Sequence, residues 1–534
     1  MSMTLKDKIT AWEPQAVWSE AGDGMWTVPA EKFHDLAARL RAEGFDFLRS
    51  LTGMDWGEEG FGAVYHLEAS ATGENVVLRT LTPSREKCGL PSVCDLWKAA
   101  ELNEREVFDY FGIGDSLEIR PLDEAFDIVS PGGAGEFAYM HGYDEFRRHL
   151  TSLFPREAAG IARYCDKIRE IGDSIGVEVH RSGRLSSGGV KYLGASAAEF
   201  IGECVADPLL RSVLAGTNPL YGGVRERSPL YHHAMINHSN IEGACRFAGG
   251  TQHIADALAA KIREHGGTIL TGCRANALHT EGRRITGVEL ADGRILRAKS
   301  VISAIHPAAT FGLIGPTPVL RRAFRDRMAG MPGTYGLFSV YLLLRPQSFP
   351  YINRNLYYYA EGGDVWDTLF DTEAMRPKMV LFSAQPPCAD PAWSEVVTLM
   401  APIATDIWSA WSGSAPGCRP EAYTVLKTAV AQHLTDFVCE RLPGLRAAVE
   451  QTYAATPLTY RHYTGIPHGA AYGLQKDCRN VMATCIPVRT KFENLLLTGQ
   501  NLTVHGAIGV TLSAAATCAE LLGTEYLAKK IGDA

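Results

Sequence analysis

Apolar positions in the first hundred residues follow two periods. Residues 25–29 (MWTVP) read as a short strand. Pro29 then opens a helix over about 30–42, with Phe33, Leu36, Ala37 and Leu40 on one face. Three runs of strand character follow, at 45–56, 61–70 and 75–84, separated by the turn sequences GEEG and TGE. A helix over about 92–100 carries Val93, Leu96 and Trp97. The stretch 101–119, ELNEREVFDYFGIGDSLEI, begins another helix. Asn103 is its N-cap, Glu106 the reciprocal partner, and Leu102 and Val107 the apolar staple; Gly112 and Gly114 end it. Together these elements predict a small α+β layer of about 110 residues.

Beyond residue 119 the pattern changes. Short strands precede an amphipathic helix whose buried face is Phe146, Leu150, Leu153 and Phe154, and helical spacing continues over 156–205. In the mixed region 206–248, Tyr231-His232-His233 places two adjacent histidines about 100° apart on a helix, which favours packing and hydrogen bonding over shared metal ligation. Over Arg246–Pro307, a glycine pair opens a helix with Ile254, Leu258 and Ile262 inward, and Gly266-Gly267 ends it. A strand at Thr268–Leu270 is expected next. Then come strands near 285–290 and 295–297 around an Asp292-Gly293 turn, and a closing strand at Ser300–Ala304. This layout suits a flavin-binding half-domain, and also any α/β unit with a hairpin. Residues 308–480 read as mixed β and helix, with a buried strand at 334–344. Tyr357, Tyr358, Tyr359 and Trp366 form an aromatic cluster suited to core packing or to lining an apolar pocket. Finally, Leu495–Leu497 is a buried strand, followed by Gly499, Gly506 and Gly509 and a helix beginning near Val510. A bare helix N-terminus there would attract phosphate.

Charge sharpens the division. Of the 52 Lys+Arg and 60 Asp+Glu, residues 1–119 hold 11 and 21, leaving 41 and 39 for the rest. Neither part has a basic stripe, which argues against nucleic acid as a partner. The 12 cysteines include no C-x-x-C pair, which argues against a metal or disulfide framework and for reduced cytoplasmic thiols. The longest apolar run, Tyr335–Leu344, is about half of what a membrane-spanning helix needs.

Two resemblances follow from these runs. FLRSLTGMDW, FGAVYHL and LPSVCDLWKAAELNEREVFDYFGI resemble the thirty-kilodalton subunit of respiratory complex I, the NADH–quinone oxidoreductase. The resemblance covers about residues 20–113. It implies a scaffold without a redox centre, partnered by other peripheral-arm subunits of a complex that works with NAD and quinone. The second family is the phytoene desaturase, carotenoid isomerase and all-trans-retinol saturase group of FAD-dependent oxidoreductases. Phe126-Asp127-Ile128, Arg246–Gly250, Val301–Pro307, TPLTYRHYTGIPHGAAYG and LLLTGQNLTVHGAIGV carry it, in that family's order, over about 114–530. It implies that Gly249 and Gly250 lie near the flavin and that Ala275 stands where a backbone meets the adenine. Gly499, Gln500, Gly506, Gly509 and Val510 would line the isoalloxazine and pyrophosphate side. It also implies hydrogen transfer to or from a lipid or polyene substrate, with the chemistry belonging to the cofactor.

That family opens with a G-x-G-x-x-G strand–helix unit, and no such unit occurs here; Gly132-Gly133-Ala134-Gly135 lacks both its third glycine and its setting. The expected fold is therefore an α+β domain over 1–113 fused to an α/β FAD-dependent oxidoreductase-like domain over 114–534. In the second domain the dinucleotide-binding (Rossmann-type) half is incomplete. Its flavin-binding parts fall at about 240–310 and 490–530, and a mixed β/helical substrate lobe at about 308–480. FAD is the expected cofactor, held weakly or not at all by this chain alone. The alternatives are a complex I scaffold with a non-catalytic appendage, or a two-gene chimera with neither activity. The expected location is cytoplasmic, with peripheral contact at the inner face of the membrane. The two family patterns overlap over Phe108–Ile113, which reads as the seam between them.

Overall fold

The computed structural model describes residues 4–19, 24–55, 61–69, 72, 74–81, 90, 93, 119–182, 192–387 and 390–527. The expected helices at 92–100 and from Asn103, and the seam at 108–113, lie outside them. Internal contacts divide the chain into Met1–Gly114 and Asp115–Ala534.

The first unit runs α1 (Leu5–Trp12), β1 (Val17–Ser19), β2 (Met25–Val28), α2 (Ala30–Ala42), β3 (Phe47–Asp55), β4 (Phe61–Ala69) and β5 (Glu74–Leu81). Its sheet has the order β1-β2-β5-β4-β3, with β2 parallel to β5 and the other pairs antiparallel. Phe33, Leu36, Ala37 and Leu40 of α2 are all buried, in a core with Trp26, Tyr65, Leu67 and Leu78. Each such large side chain contributes roughly 1.5–3 kcal/mol. Helix α1 and strand β1 have no counterpart in the sequence reading. The helix is fixed by a capping box in which Thr4 Oγ1 accepts from Asp7 N–H and the Asp7 carboxylate accepts from Thr4 N–H.

The second unit begins with β6 (Ile119–Pro121), β7 (Ala125–Ser130), β8 (Phe137–Met140), α3 (Tyr143–Leu153), α4 (Ala158–Ser182) and α5 (Ala197–Cys204). It continues with α6 (Leu230–Gly243), β9 (Cys245–Phe247), α7 (Gln252–Glu264), β10 (Ala275–Glu281), β11 (Arg284–Leu290), β12 (Ile295–Leu296) and β13 (Val301–Ser303). Next come α8 (Arg322–Ala329), β14 (Gly336–Leu344), β15 (Asn355–Tyr359), β16 (Met379–Ala384), β17 (Val396–Ile403), α9 (Glu421–Cys439) and β18 (Val449–Ala455). Last are β19 (Leu495–Leu497) and α10 (Gly506–Leu522).

Seven strands form the largest sheet, ordered β18-β14-β17-β16-β15-β7-β8, with only β15 and β7 parallel. Tyr357 and Tyr359 point to one of its faces and Tyr358 to the other, into separate cores. The tyrosine run is therefore core packing on both faces and not the wall of one pocket. A mixed assembly of sheets and helices is thus what the sequence pattern implied.

Three expectations fail locally. Leu153 is 46% exposed, because α3 ends there and the buried face stops at Leu150. No strand forms at 268–270, where Leu270 is 47% exposed. Helix α7 forms as expected between its glycine pairs but buries none of its residues, and Ile262 is 48% exposed. Without a strand at 268–270, α7 has no sheet beneath it at that point. The nearby strands make only small sheets, β10-β11-β12 and the parallel pair β13-β19. Ile295, Ile302 and Ile305 are likewise exposed. Among the described residues no helix is long and apolar enough to cross a membrane.

Candidate functional site

The site grows from β19. Leu495, Leu496 and Leu497 are all buried, and they pair in parallel with Val301, Ile302 and Ser303. At the carboxyl ends of these two strands the chain turns through Gly499, at φ +94°, where a Cβ would stand 3.4 Å from Ala304 O. The Gly499 N–H donates to Ser513 Oγ at 3.0 Å, and Thr517 Oγ1 donates to Leu497 O at 3.0 Å. Helix α10 is thereby fastened along the strand that precedes it. The crevice outside the carboxyl ends of parallel strands is where α/β folds place ligands.

The start of α10 carries no side-chain cap and no acidic residue in its first turn. Its N-cap residue, His505, is turned away, with Nε2 2.7 Å from Leu220 O and its ring 4.3 Å from that of Tyr472. Burial holds the His505 pKa below the usual imidazole value, so the ring is neutral and Nε2 is the donor. Gly506, at φ +80°, has open space where a side chain would be. The first turn of this 17-residue helix therefore has no capping side chain on its N–H groups, and the dipole favours an anion there.

Gly509 has a different reason for being glycine. A Cβ there would lie 2.4 Å from Val504 O, so its bareness serves the close approach of the chain to itself. Gln500 is half-buried in the same turn, and Val510 is 38% exposed at the start of the second turn of α10. Gly249 and Gly250, at φ +72° and +86°, make the turn from β9 into α7; a Cβ on the first would meet the His253 ring, and on the second nothing. Ala275 opens β10 opposite Leu290. Two of the eight residues named from the sequence thus lie in the turn between β19 and α10, three follow at the start of α10, and three sit on other elements.

Sequence reasoning missed the groups that hold the turn. Lys476 is buried, and its Nζ donates to three carbonyls: Thr484 O at 2.8 Å, Asn501 O at 2.8 Å and Leu502 O at 2.9 Å. Burial lowers its pKa to about 8. Asn501 Oδ1 accepts from Leu474 N–H at 3.1 Å. His232 and His233 go separate ways, as adjacent helical positions must. His232 Nε2 lies 2.8 Å from Thr503 O, while His233 lies between Tyr164 OH at 2.8 Å and Tyr221 OH at 3.0 Å. Burial lowers both pKa values to about 3.

A cavity of about 650 Å³ borders this turn. One face of α10 (Gly509, Leu512, Ser513, Ala516) forms a wall, with Leu497 and the segment 482–491 beside it. Among the described residues no group of three or more His, Cys, Asp or Glu could hold a metal.

Residues 26–115 match the respiratory-chain NADH dehydrogenase, 30 Kd subunit family, and residues 107–424 match the flavin containing amine oxidoreductase family. The two matches overlap at 107–115. The C/D subunit of the NADH-quinone oxidoreductase of Phocaeicola vulgatus is 63% identical over 87 residues, 16% of this chain; the chain spans only 17% of that relative's length. The all-trans-retinol 13,14-reductase of Rattus norvegicus is 24% identical over 447 residues, 76% of this chain and 73% of that protein. A lycopene-forming phytoene desaturase from Paracoccus sp. is 27% identical over 206 residues, 35% of this chain and 39% of its own. By the match over 107–424, the chain belongs to the flavin containing amine oxidoreductase family, preceded by a domain of the complex I 30 Kd subunit type.

Proposed function

We propose that residues 115–534 form a flavin-linked oxidoreductase unit that keeps the flavin end of an FAD cradle and lacks much of the nucleotide end. The observation that carries this reading is the contrast between two places. At the β19–α10 turn, uncapped N–H groups and open space above Gly506 fit a flavin and its phosphate. Around α7, apolar residues lie uncovered and no strand forms at 268–270, so Ala275 has little to complete an adenine pocket. Gly499, Gln500, Gly506 and Val510 would hold the flavin, with Gly249 and Gly250 nearby. Gly509 would shape the turn. A bound flavin supplies hydride chemistry; a lipid or polyene is the proposed substrate class, by likeness to the retinol reductase and phytoene desaturase relatives.

The first 114 residues are proposed to act as a scaffold docking onto peripheral-arm subunits of a complex I-type assembly, at the cytoplasmic side of a membrane. Two measurements test these readings. The purified full chain is expected to carry flavin well below one equivalent. Stoichiometric FAD surviving purification would refute the incomplete-cradle reading. Pull-down of the respiratory complex from the native host is expected to bring this chain with it, and absence from every such preparation would refute docking.

A further inference from the structure

The cavity beside α10 has a feature that the flavin reading does not use. Its floor is apolar, with Tyr231, Phe311, Met328, Leu497 and Val504 all buried. Its mouth is cationic. Arg327 and Lys491 are both exposed there, and they stand over the same ring: Lys491 Nζ is 4.4 Å and Arg327 Cζ 5.5 Å from the centre of Phe324. Phe324 packs edge-on against Phe311 at 5.0 Å, so the two charges are anchored where the apolar lining begins. Arg489, on the same rim, is paired with Glu520. Among the described residues neither Arg327 nor Lys491 has a carboxylate partner. Met482, 88% exposed, adds a flexible apolar edge to the mouth.

Two like charges over one ring repel each other, and at an exposed site the ring holds each only weakly. An anion between them removes the repulsion and accepts charge-assisted hydrogen bonds from a lysine point charge and an arginine fork. The floor rewards contact with an apolar chain. The volume of about 650 Å³ falls in the range of roughly 300–1,000 Å³ of small-molecule sites. One chemistry satisfies both ends: a single long apolar chain bearing one carboxylate. We propose that this cavity binds a long-chain carboxylate, with its chain over Leu497 and Val504 and its head between Lys491 and Arg327. The proposal rests on the cavity alone, apart from whether flavin binds.

The test is displacement of cis-parinaric acid from the full chain, read by its fluorescence. Oleate should displace it, and oleyl alcohol should do so about tenfold more weakly or worse. The double variant Arg327→Glu, Lys491→Glu should weaken oleate about tenfold or more, while a cooperative thermal transition shows that the fold is kept, because both side chains are exposed. Ala516→Trp, which fills the cavity, should abolish probe binding. Equal displacement by the alcohol would overturn the proposal, as would an unaltered oleate affinity in the folded double variant. Displacement of the probe by equimolar FAD would also overturn it, by assigning the cavity to the flavin.

Discussion

Lys476 sets two physical effects against each other, and its removal shows which wins. Burial disfavours the charged ammonium and lowers its pKa to about 8 from the ordinary 10.5, while three backbone carbonyls favour the charge. If burial dominates, the unfolded lysine keeps its proton up to about pH 10.5 while the folded one releases it near 8. The unfolded state then binds more protons between those values, so stability rises with pH across that window. The gap corresponds to about 3 kcal/mol. Lys476→Met removes this titration. It also strips Thr484 O and Asn501 O of their partner, at about 1–3 kcal/mol each, whereas Leu502 O still accepts from Ile486 N–H. Near neutral pH, relief of the buried charge offsets much of that loss, so the variant should unfold within about 2 kcal/mol of the parent. The decisive quantity is the pH dependence of the difference. Urea unfolding of the full chain, followed by hydrogen–deuterium exchange of peptides from residues 115–534, isolates this unit. The parent should gain about 3 kcal/mol on the variant between about pH 8 and 10.5. A difference that stays flat, or that shrinks as pH rises, would show that the carbonyls hold the charge more strongly than burial expels it.

Other outcomes follow from the same geometry. Gly160→Ala should lose about 2–4 kcal/mol in urea unfolding, because a Cβ would lie 2.1 Å from Cys204 O; the helix-propensity gain of about 1 kcal/mol is too small to compensate. Ile262→Lys on α7 should change stability by less than about 0.5 kcal/mol and reduce binding of an apolar dye; a loss of several kcal/mol would mean that the face is covered. His232, His233 and His238 have pKa values lowered by burial to about 3, 3 and 4 from the ordinary 6.5. The unfolded chain takes up their protons first, so stability falls as pH drops below about 6.5, by up to about 1.4 kcal/mol per pH unit for each. Replacing His238 by Gln should flatten that acid limb, measured by exchange-monitored unfolding.

Local pattern made much of this structure legible. The four inward residues of α2 repeat at helical spacing, and Gly336–Leu344 is an apolar run, interrupted by Ser339, that forms an inner strand of the sheet. The glycine turn after Leu497 was visible because left-handed backbone leaves a residue signature. What escaped depends on partners far along the chain. Pairing of β7 with β15 joins residues more than two hundred positions apart, and nothing in either strand names the other. Lys476 sits in the stretch GLQKDCRN, whose residues give no sign of burial; only the fold shows three carbonyls converging on it. The failure at 268–270 teaches the converse. Its sequence suits a strand and the α7 sequence suits a covered helix, but both need a sheet next to them, and a segment's own residues cannot supply its neighbours.

On the proposed reading, this chain keeps the flavin end of the cradle and lacks the nucleotide end. Equilibrium titration of the full chain with FAD and with FMN, under one set of conditions, tests it most directly. The two should bind within about threefold of each other, a difference of about 0.7 kcal/mol, because adenosine finds little to contact. A preference for FAD of about a hundredfold or more, about 2.7 kcal/mol, would show a working adenine site and contradict the account.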